Sequence, residues 1–295
     1  MRRIRIGNQT AVSSANPFEP FDFALQNGFD AFEWFADKKV YEDGRVQGWD
    51  EADMDVERRA EIRSAGIAHD IRFTVHAPWQ ANPLNEDGVP LLLRSVEFAR
   101  DIGADIVNLH LYMDRGSRGY VEALTPVLRR ASTLGLRVSI ENTPETTPDD
   151  FNRTFEELAK VPRLPAGAVG MCLDIGHANL CEPTHNNFIR YVDLLAADLP
   201  IVHLHAHENH GDSDRHLTLF TGPSREDDSG IRALVKRLCR RAYEGVIVLE
   251  QWPQPPQLLV EAAARLRALL ELPQSDPCDR AQNALHMLQN DTIRS

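Results

Sequence analysis

The chain has 295 residues, 42% of them hydrophobic, with 32 Lys and Arg against 44 Asp and Glu, giving a formal net charge of −12. That balance argues against broad electrostatic attraction to nucleic acid or to an anionic membrane, although cations held at a carboxylate site would offset part of it. The opening MRRIRIGNQT enters a strand-like run with no apolar signal-peptide core, and no stretch approaches the roughly 18 apolar residues that a membrane span needs.

In chain order, a strand is expected at residues 4–7 and another at Ala31–Phe35. Six further Val/Ile/Leu-rich runs each end on a residue type that binds metals: FTVHAP at His76, VNLHLY at His110, VSIENT at Glu141, MCLDIGH at Asp174, IVHLHA at His203 and VIVLEQ at Glu250. Their successive gaps are 34, 31, 33, 29 and 47 residues, and one strand, loop and helix together take roughly 30. Helix-patterned segments fall between them at 54–65, 90–102, 120–134, 148–158, 187–197, 231–242 and 256–270. Eight strands alternating with helices predict an α/β protein, a closed (β/α)8 TIM barrel over residues 1–272. No Gly-rich dinucleotide fingerprint follows the first strand, which argues against an open nucleotide-binding sheet.

Residues 273–295 begin with turn formers and then become helix-like, so a short C-terminal helical appendage is expected there. The basic stripe Lys236, Arg237, Arg240 and Arg241 reads as a solvated outer helix face. Four scattered cysteines, Cys172, Cys181, Cys239 and Cys278, form no C-x-x-C pair, so no disulfide framework or thiolate zinc site is expected. The expected location is a reducing cytoplasm.

Parallel strands that all end at one face bring their terminal side chains together. Nine residues have the right type and place: His76, His110, Glu141, Asp174, His177, His203, Asp214, His216 and Glu250. Imidazole nitrogen mixed with carboxylate oxygen suits zinc, manganese or iron, and a carboxylate can bridge two ions. In Asp174-Ile-Gly-His177 the carboxylate ends a strand and the imidazole follows one turn later, with Gly176 expected to permit a tight turn. His203 and His205 both point inward if their strand continues. His203 is preferred as the ligand, with His205 supporting it or touching substrate. His207 and His210 read as solvated loop residues, and Glu33 as a structural or substrate-binding carboxylate. Trp34, Trp79 and Trp252 would line a sugar pocket or pack in the core. The 36–50 loop, with Lys38, Lys39, Arg45 and Trp49, would close over a phosphate at the barrel mouth.

The segments VHAPW, LDIGH, HLHAHENHGDSDRH and LEQW resemble signature segments of the xylose isomerase-like TIM barrels, the group that includes endonuclease IV and the sugar epimerases. The resemblance spans about residues 4–270. It implies that Glu141, Asp174, His203 and Glu250 match the four ligands shared by the isomerase and epimerase branch. It also implies that His76, His110, His177, Asp214 and His216 match the further ligands with which endonuclease IV holds three zinc ions. Trp79 falls where that enzyme has an aromatic side chain at its DNA interface. IGHANLCEPTH and HLHAHENHG depart from the endonuclease pattern, so DNA is not the favoured partner.

Two chemistries fit these residues. In the preferred one, a divalent metal acidifies the C–H beside the carbonyl of a small sugar or sugar phosphate, and Glu141 and Glu250 exchange the proton. In the alternative, clustered zinc ions hydrolyse a phosphoester, abasic-site DNA included. One to three ions per chain are expected, zinc if clustered and manganese or cobalt if single.

Overall fold

The computed structural model describes residues 4–11, 16 and 18–271, so the expected C-terminal appendage lies outside the described residues. Eight parallel strands form the sheet: β1 (Arg5–Gln9), β2 (Ala31–Phe35), β3 (Arg72–His76), β4 (Ile106–His110), β5 (Arg137–Glu141), β6 (Val169–Asp174), β7 (Ile201–Ala206) and β8 (Val246–Leu249). They close into a barrel in the order β1-β8-β7-β6-β5-β4-β3-β2. The fold is therefore the expected TIM barrel, with β8 sealing the ring through the register Arg5↔Val246 to Asn8↔Leu249.

Helices wrap the sheet: α1 (Glu19–Gln26), α2 (Val56–Ala68), α3 (Gly88–Ile102), α4 (Gly116–Thr133), α5 (Pro148–Leu158), α6 (Ile175–Leu180), α7 (Phe188–Leu194), α8 (Ser229–Arg240) and α9 (Gln257–Glu271). The start of α5 follows from local chemistry. Thr147 accepts from the amide of Asp150 while the Asp150 carboxylate accepts from the amide of Thr147, and Pro148 occupies the first turn. Helix α6, with six residues, is too short to show a periodic stripe, and neither it nor α1 was among the expected helices. No helix among the described residues is long and apolar enough to cross a membrane.

Strand alternation sends one set of side chains out to the helices and the other into the barrel. The outward set, including Val75, Leu109, Ile140 and Leu173, joins the main apolar core. The inward set is polar: Glu33, Thr74, Asn108, Ser139, Cys172, His203 and His205 are all fully buried. Only Ala31, Val246 and Val248 form a small separate apolar group. Barrels of this type usually fill that space with branched apolar layers, so a polar interior marks the site's foundation. Trp34 belongs to the outward set. It packs on Phe21 and Phe32 at 5.0 Å and on Trp49 at 6.0 Å, which removes it from any sugar pocket.

Candidate metal centre

The C-terminal ends of β3 to β8 gather ligand-type side chains at the barrel mouth. Among the described residues, three groups that draw on Glu141, Asp174, Glu250 or His216 bring one donor atom per residue within 4.8 Å of one another. One is Glu141, Asp174, His205 and Glu250; a second is His76, Glu141 and His205; a third is His177, His207, Asp214 and His216.

The carboxylate-rich group sits deepest. Glu141 Oε1 lies 3.3 Å from His205 Nδ1, and Glu250 Oε2 lies 3.4 Å from the same nitrogen. These three atoms are buried and make no hydrogen bond. Buried polar atoms nearly always have a partner, so three orphans aimed at one point fit a cation. Their chemistry, two carboxylate oxygens and an imidazole nitrogen with Asp174 Oδ2 3.8 Å from His205 Nδ1, also fits.

Asn108 steadies Glu141 by donating to Oε2, and Ser139 Oγ donates to Asn108 Oδ1 at 2.7 Å. His76 Nε2 stands 3.2 Å from Glu141 Oε2, and His110 Nε2 stands 3.6 Å from Oε1. Burial by itself would raise the Glu141 carboxyl, but the His205 and His110 imidazoles outweigh it and hold it well below the ordinary carboxylate range. Glu250 behaves alike, with burial opposed chiefly by His205.

Asp174 divides its two oxygens. Oδ1 accepts from the amide of His177 at 2.7 Å and so caps α6, while Oδ2 faces His207 Nε2 at 3.0 Å. The imidazole-rich group is built around it. His177 Nε2 and His216 Nε2 lie 3.2 and 3.0 Å from Asp214 Oδ2, and the rings of His207 and His216 stack at 3.9 Å. His216 holds a left-handed backbone, φ 46°, rare for a residue with a side chain. Its Nδ1 donates to the carbonyl of Glu250 at 3.1 Å, which ties that turn to the end of β8. Burial would lower the His216 imidazole, but Asp214 and Glu250 raise it to about 9.

The structure brings eight of the nine expected ligands into this constellation and sets His203 apart. His203 is wholly buried one layer below, its Nε2 donating to Glu33 Oε2 at 2.8 Å. The reason is register. Asp174 pairs with His205, while Cys172 pairs with His203, after a register shift between Met171 and Cys172. His205 is thus level with Asp174, and its Nδ1 also reaches Glu141 and Glu250, reversing the expected preference between the two. His207, expected to be solvated, is buried, because alternation continues past the strand end and carries it inward too. His210 is exposed as expected. Gly176 has a different reason from the tight turn expected of it: a Cβ there would come within 2.0 Å of the His207 ring.

The residues expected to touch substrate fare unevenly. Glu33 is fully buried beneath the carboxylates and faces His203, His205 and Thr74 instead of the mouth. Lys38 is drawn to Asp53 at 2.6 Å, Lys39 to Asp37 at 3.3 Å and Arg45 to Asp43 at 2.6 Å. Trp49 is buried 5.5 Å from Phe98, so the 36–50 loop is anchored rather than poised over a phosphate. Trp79 stands exposed beyond β3. Trp252 lines a cleft of about 540 Å³ together with Phe35, Gln9, His216 and Glu250, a volume suited to a small molecule. A larger groove at the opposite end of the barrel is lined by Arg5, Asp70, Arg72 and Asp105, which pair with one another.

A family model described as a xylose isomerase-like TIM barrel matches residues 21–269. Over 200 residues the chain is 26% identical to an uncharacterized protein of Methanocaldococcus jannaschii, covering 62% of this chain and 65% of that one. A second uncharacterized protein of that organism is 25% identical over 169 residues, covering 52% and 63%. The chain thus spans less than two thirds of the length of these curated relatives. Among solved structures, a D-tagatose 3-epimerase-like protein is 20% identical with a TM-score of 0.68, covering 91% of this chain and 97% of that one. An L-ribulose 3-epimerase is 17% identical with a TM-score of 0.68, covering 96% and 98%. A Thermus thermophilus protein soaked with zinc chloride is 22% identical with a TM-score of 0.59, covering 90% and 98%. These likenesses show the fold.

Proposed function

Because the chain belongs to the xylose isomerase-like TIM barrel family, we propose that it is a divalent-metal-dependent enzyme that isomerises or epimerises a small sugar. The observation that carries this reading is the convergence of Glu141 Oε1, Glu250 Oε2 and His205 Nδ1, buried and without hydrogen bonds, at the floor of the mouth. The likeness to a D-tagatose 3-epimerase-like protein and an L-ribulose 3-epimerase supports the substrate class. Glu141, Asp174, His205 and Glu250 would hold the ion. When bound, it would polarise the substrate carbonyl and acidify the neighbouring C–H.

The chain's own carboxylates then move the proton. Glu141 ends β5 and Glu250 follows β8, with β6 and β7 between those strands, so they would reach one carbon from different sides. One removes the proton as an enediolate forms, and the other delivers a proton to the opposite face, which inverts the carbon. The carboxylate that gained a proton returns it to water, and the other is reprotonated. His177 and the cleft beside Trp252 would hold hydroxyls. Pairing of Lys38, Lys39 and Arg45 within their own loop favours an uncharged sugar over a sugar phosphate.

The test is solvent deuterium entering a ketose during incubation with the manganese-loaded or cobalt-loaded protein. Incorporation is expected, with Glu141→Gln and Glu250→Gln each slowing it by about 100-fold or more. The imidazole-rich group favours a second reading, phosphoester hydrolysis on clustered zinc. Cleavage of a synthetic abasic-site duplex, without deuterium exchange and with about three zinc ions per chain, would put that reading first.

A further inference from the structure

We propose that Glu33 is a positioning residue that fixes the orientation of His205, committing Nε2 to its own carboxylate so that Nδ1 is the nitrogen offered to the metal. This rests on the metal reading above and specifies how one ligand is prepared.

Glu33 reaches the barrel interior because β2 alternates inward at Ala31, Glu33 and Phe35. It is fully buried, and Oε2 is the oxygen that accepts hydrogen bonds. Oε2 accepts from Thr74 Oγ1 at 2.8 Å and from His203 Nε2 at 2.8 Å, while Oε1 lies 2.8 Å from His205 Nε2, close enough to share a proton but out of line with the ring N–H direction. The three neighbouring imidazoles His76, His177 and His216 are arranged the other way round. Each points Nδ1 at a backbone carbonyl, of Ala77 at 2.6 Å, Asn142 at 2.7 Å and Glu250 at 3.1 Å, and turns Nε2 toward the carboxylates. His205 differs because its ring spans the gap between Glu33 below and Glu141 and Glu250 above.

The distances on the two sides of the ring are of two kinds. The contact with Glu33, at 2.8 Å, has the length of a hydrogen bond though not its alignment, which a small rotation of the ring would supply, and it is too short for two donors sharing one zinc ion. Donor atoms that share a zinc ion at 2.0 to 2.1 Å in a tetrahedron stand about 3.4 Å apart. The Nδ1 separations from Glu141 and Glu250, 3.3 and 3.4 Å, are of that length. Protons belong on the lower side of His205 and an ion on the upper. A carboxylate on the far nitrogen of a ligating imidazole locks the ring and strengthens it as a donor.

Full-length protein labelled with nitrogen-15 in histidine, titrated with zinc, tests this. The His205 resonances are assigned by their absence in His205→Asn. Zinc is expected to shift Nδ1 of His205, leaving Nε2 protonated and slow to exchange, while His76, His177 and His216 respond at Nε2 if at all. Calorimetry of Glu33→Gln is expected to show zinc affinity lowered roughly 10-fold to 100-fold. The spectrum of the wild type stands by itself should that variant fold poorly. Zinc on Nε2 of His205, or unchanged affinity in a folded Glu33→Gln, overturns the inference and leaves the metal reading intact. A wild type that takes up no zinc overturns both.

Discussion

Gly176 and His207 show how tightly one residue constrains another at this mouth. Gly176 lies in the first turn of α6, where alanine would ordinarily gain roughly 1 kcal/mol over glycine. Here the added methyl would overlap the His207 ring, which sits between Asp174 Oδ2 and the stacked His216. Overpacking costs roughly 1–3 kcal/mol, so Gly176→Ala is expected to lower the melting temperature. Its sharper effect should be the loss of one zinc equivalent, from the imidazole-rich group, by metal analysis. Retention of all the zinc in Gly176→Ala would separate His207 from that group. This pair also marks a limit of the sequence. Gly176 stands out in LDIGH, yet its partner lies 31 residues further on, and only packing identifies it.

At the scale of elements, β7 explains what was legible and what was not. The alternation was plain in IVHLHAHEN for His203 and His205, whereas His207, beyond the expected strand end, read as solvated although the same alternation carries it inward. Which ring is level with Asp174 depends on inter-strand register, and the shift between Met171 and Cys172 has no sequence signal. Seven helices were readable from their apolar spacing, whereas the six-residue α6 was too short, and α1, although longer than α7, was missed. The basic stripe on α8 was read as a solvated face, but it joins two helices. Arg237 grips Asp193 of α7 through two contacts of 2.6 Å. Arg241, just past α8, donates to the carbonyls of Leu195, Ala196 and Leu199 beyond α7. Losing these charge-assisted bonds at once, Arg241→Ala is expected to cost about 1–3 kcal/mol in urea unfolding without changing metal content. A neutral result would return Arg241 to the solvated face.

At the scale of the molecule, buried charge is concentrated at one end of the barrel, which makes stability depend on pH and on metal together. In metal-free protein, His216 is raised from 6.5 to about 9, so its contribution is complete below 6.5 and disappears as pH rises through 9. Asp214 is lowered from 3.8: burial alone would raise it, but His177 and His216 prevail. Its contribution is complete above 3.8 and is lost as pH falls toward its folded value. The chelated protein should therefore melt highest between about 4 and 6.5 and lose stability toward pH 9. Zinc should reverse that slope, since an ion displaces protons from imidazole and binds more tightly as pH rises. Calorimetric scans at pH 6 and 9, with and without a chelator, check both signs. Parallel slopes in the two series would mean that these groups meet no ion.

The seal between β1 and β8 joins the first and last strands of the barrel, and Glu250 immediately follows β8. A ribosome must therefore synthesise every strand of the barrel before the mouth has its last carboxylate. Until then β1 and β7 each present an unsatisfied edge, an invitation to pair with another nascent molecule. Ion capture would then report that the ring has shut, and starving expressing cells of metal should send more of the product into inclusion bodies.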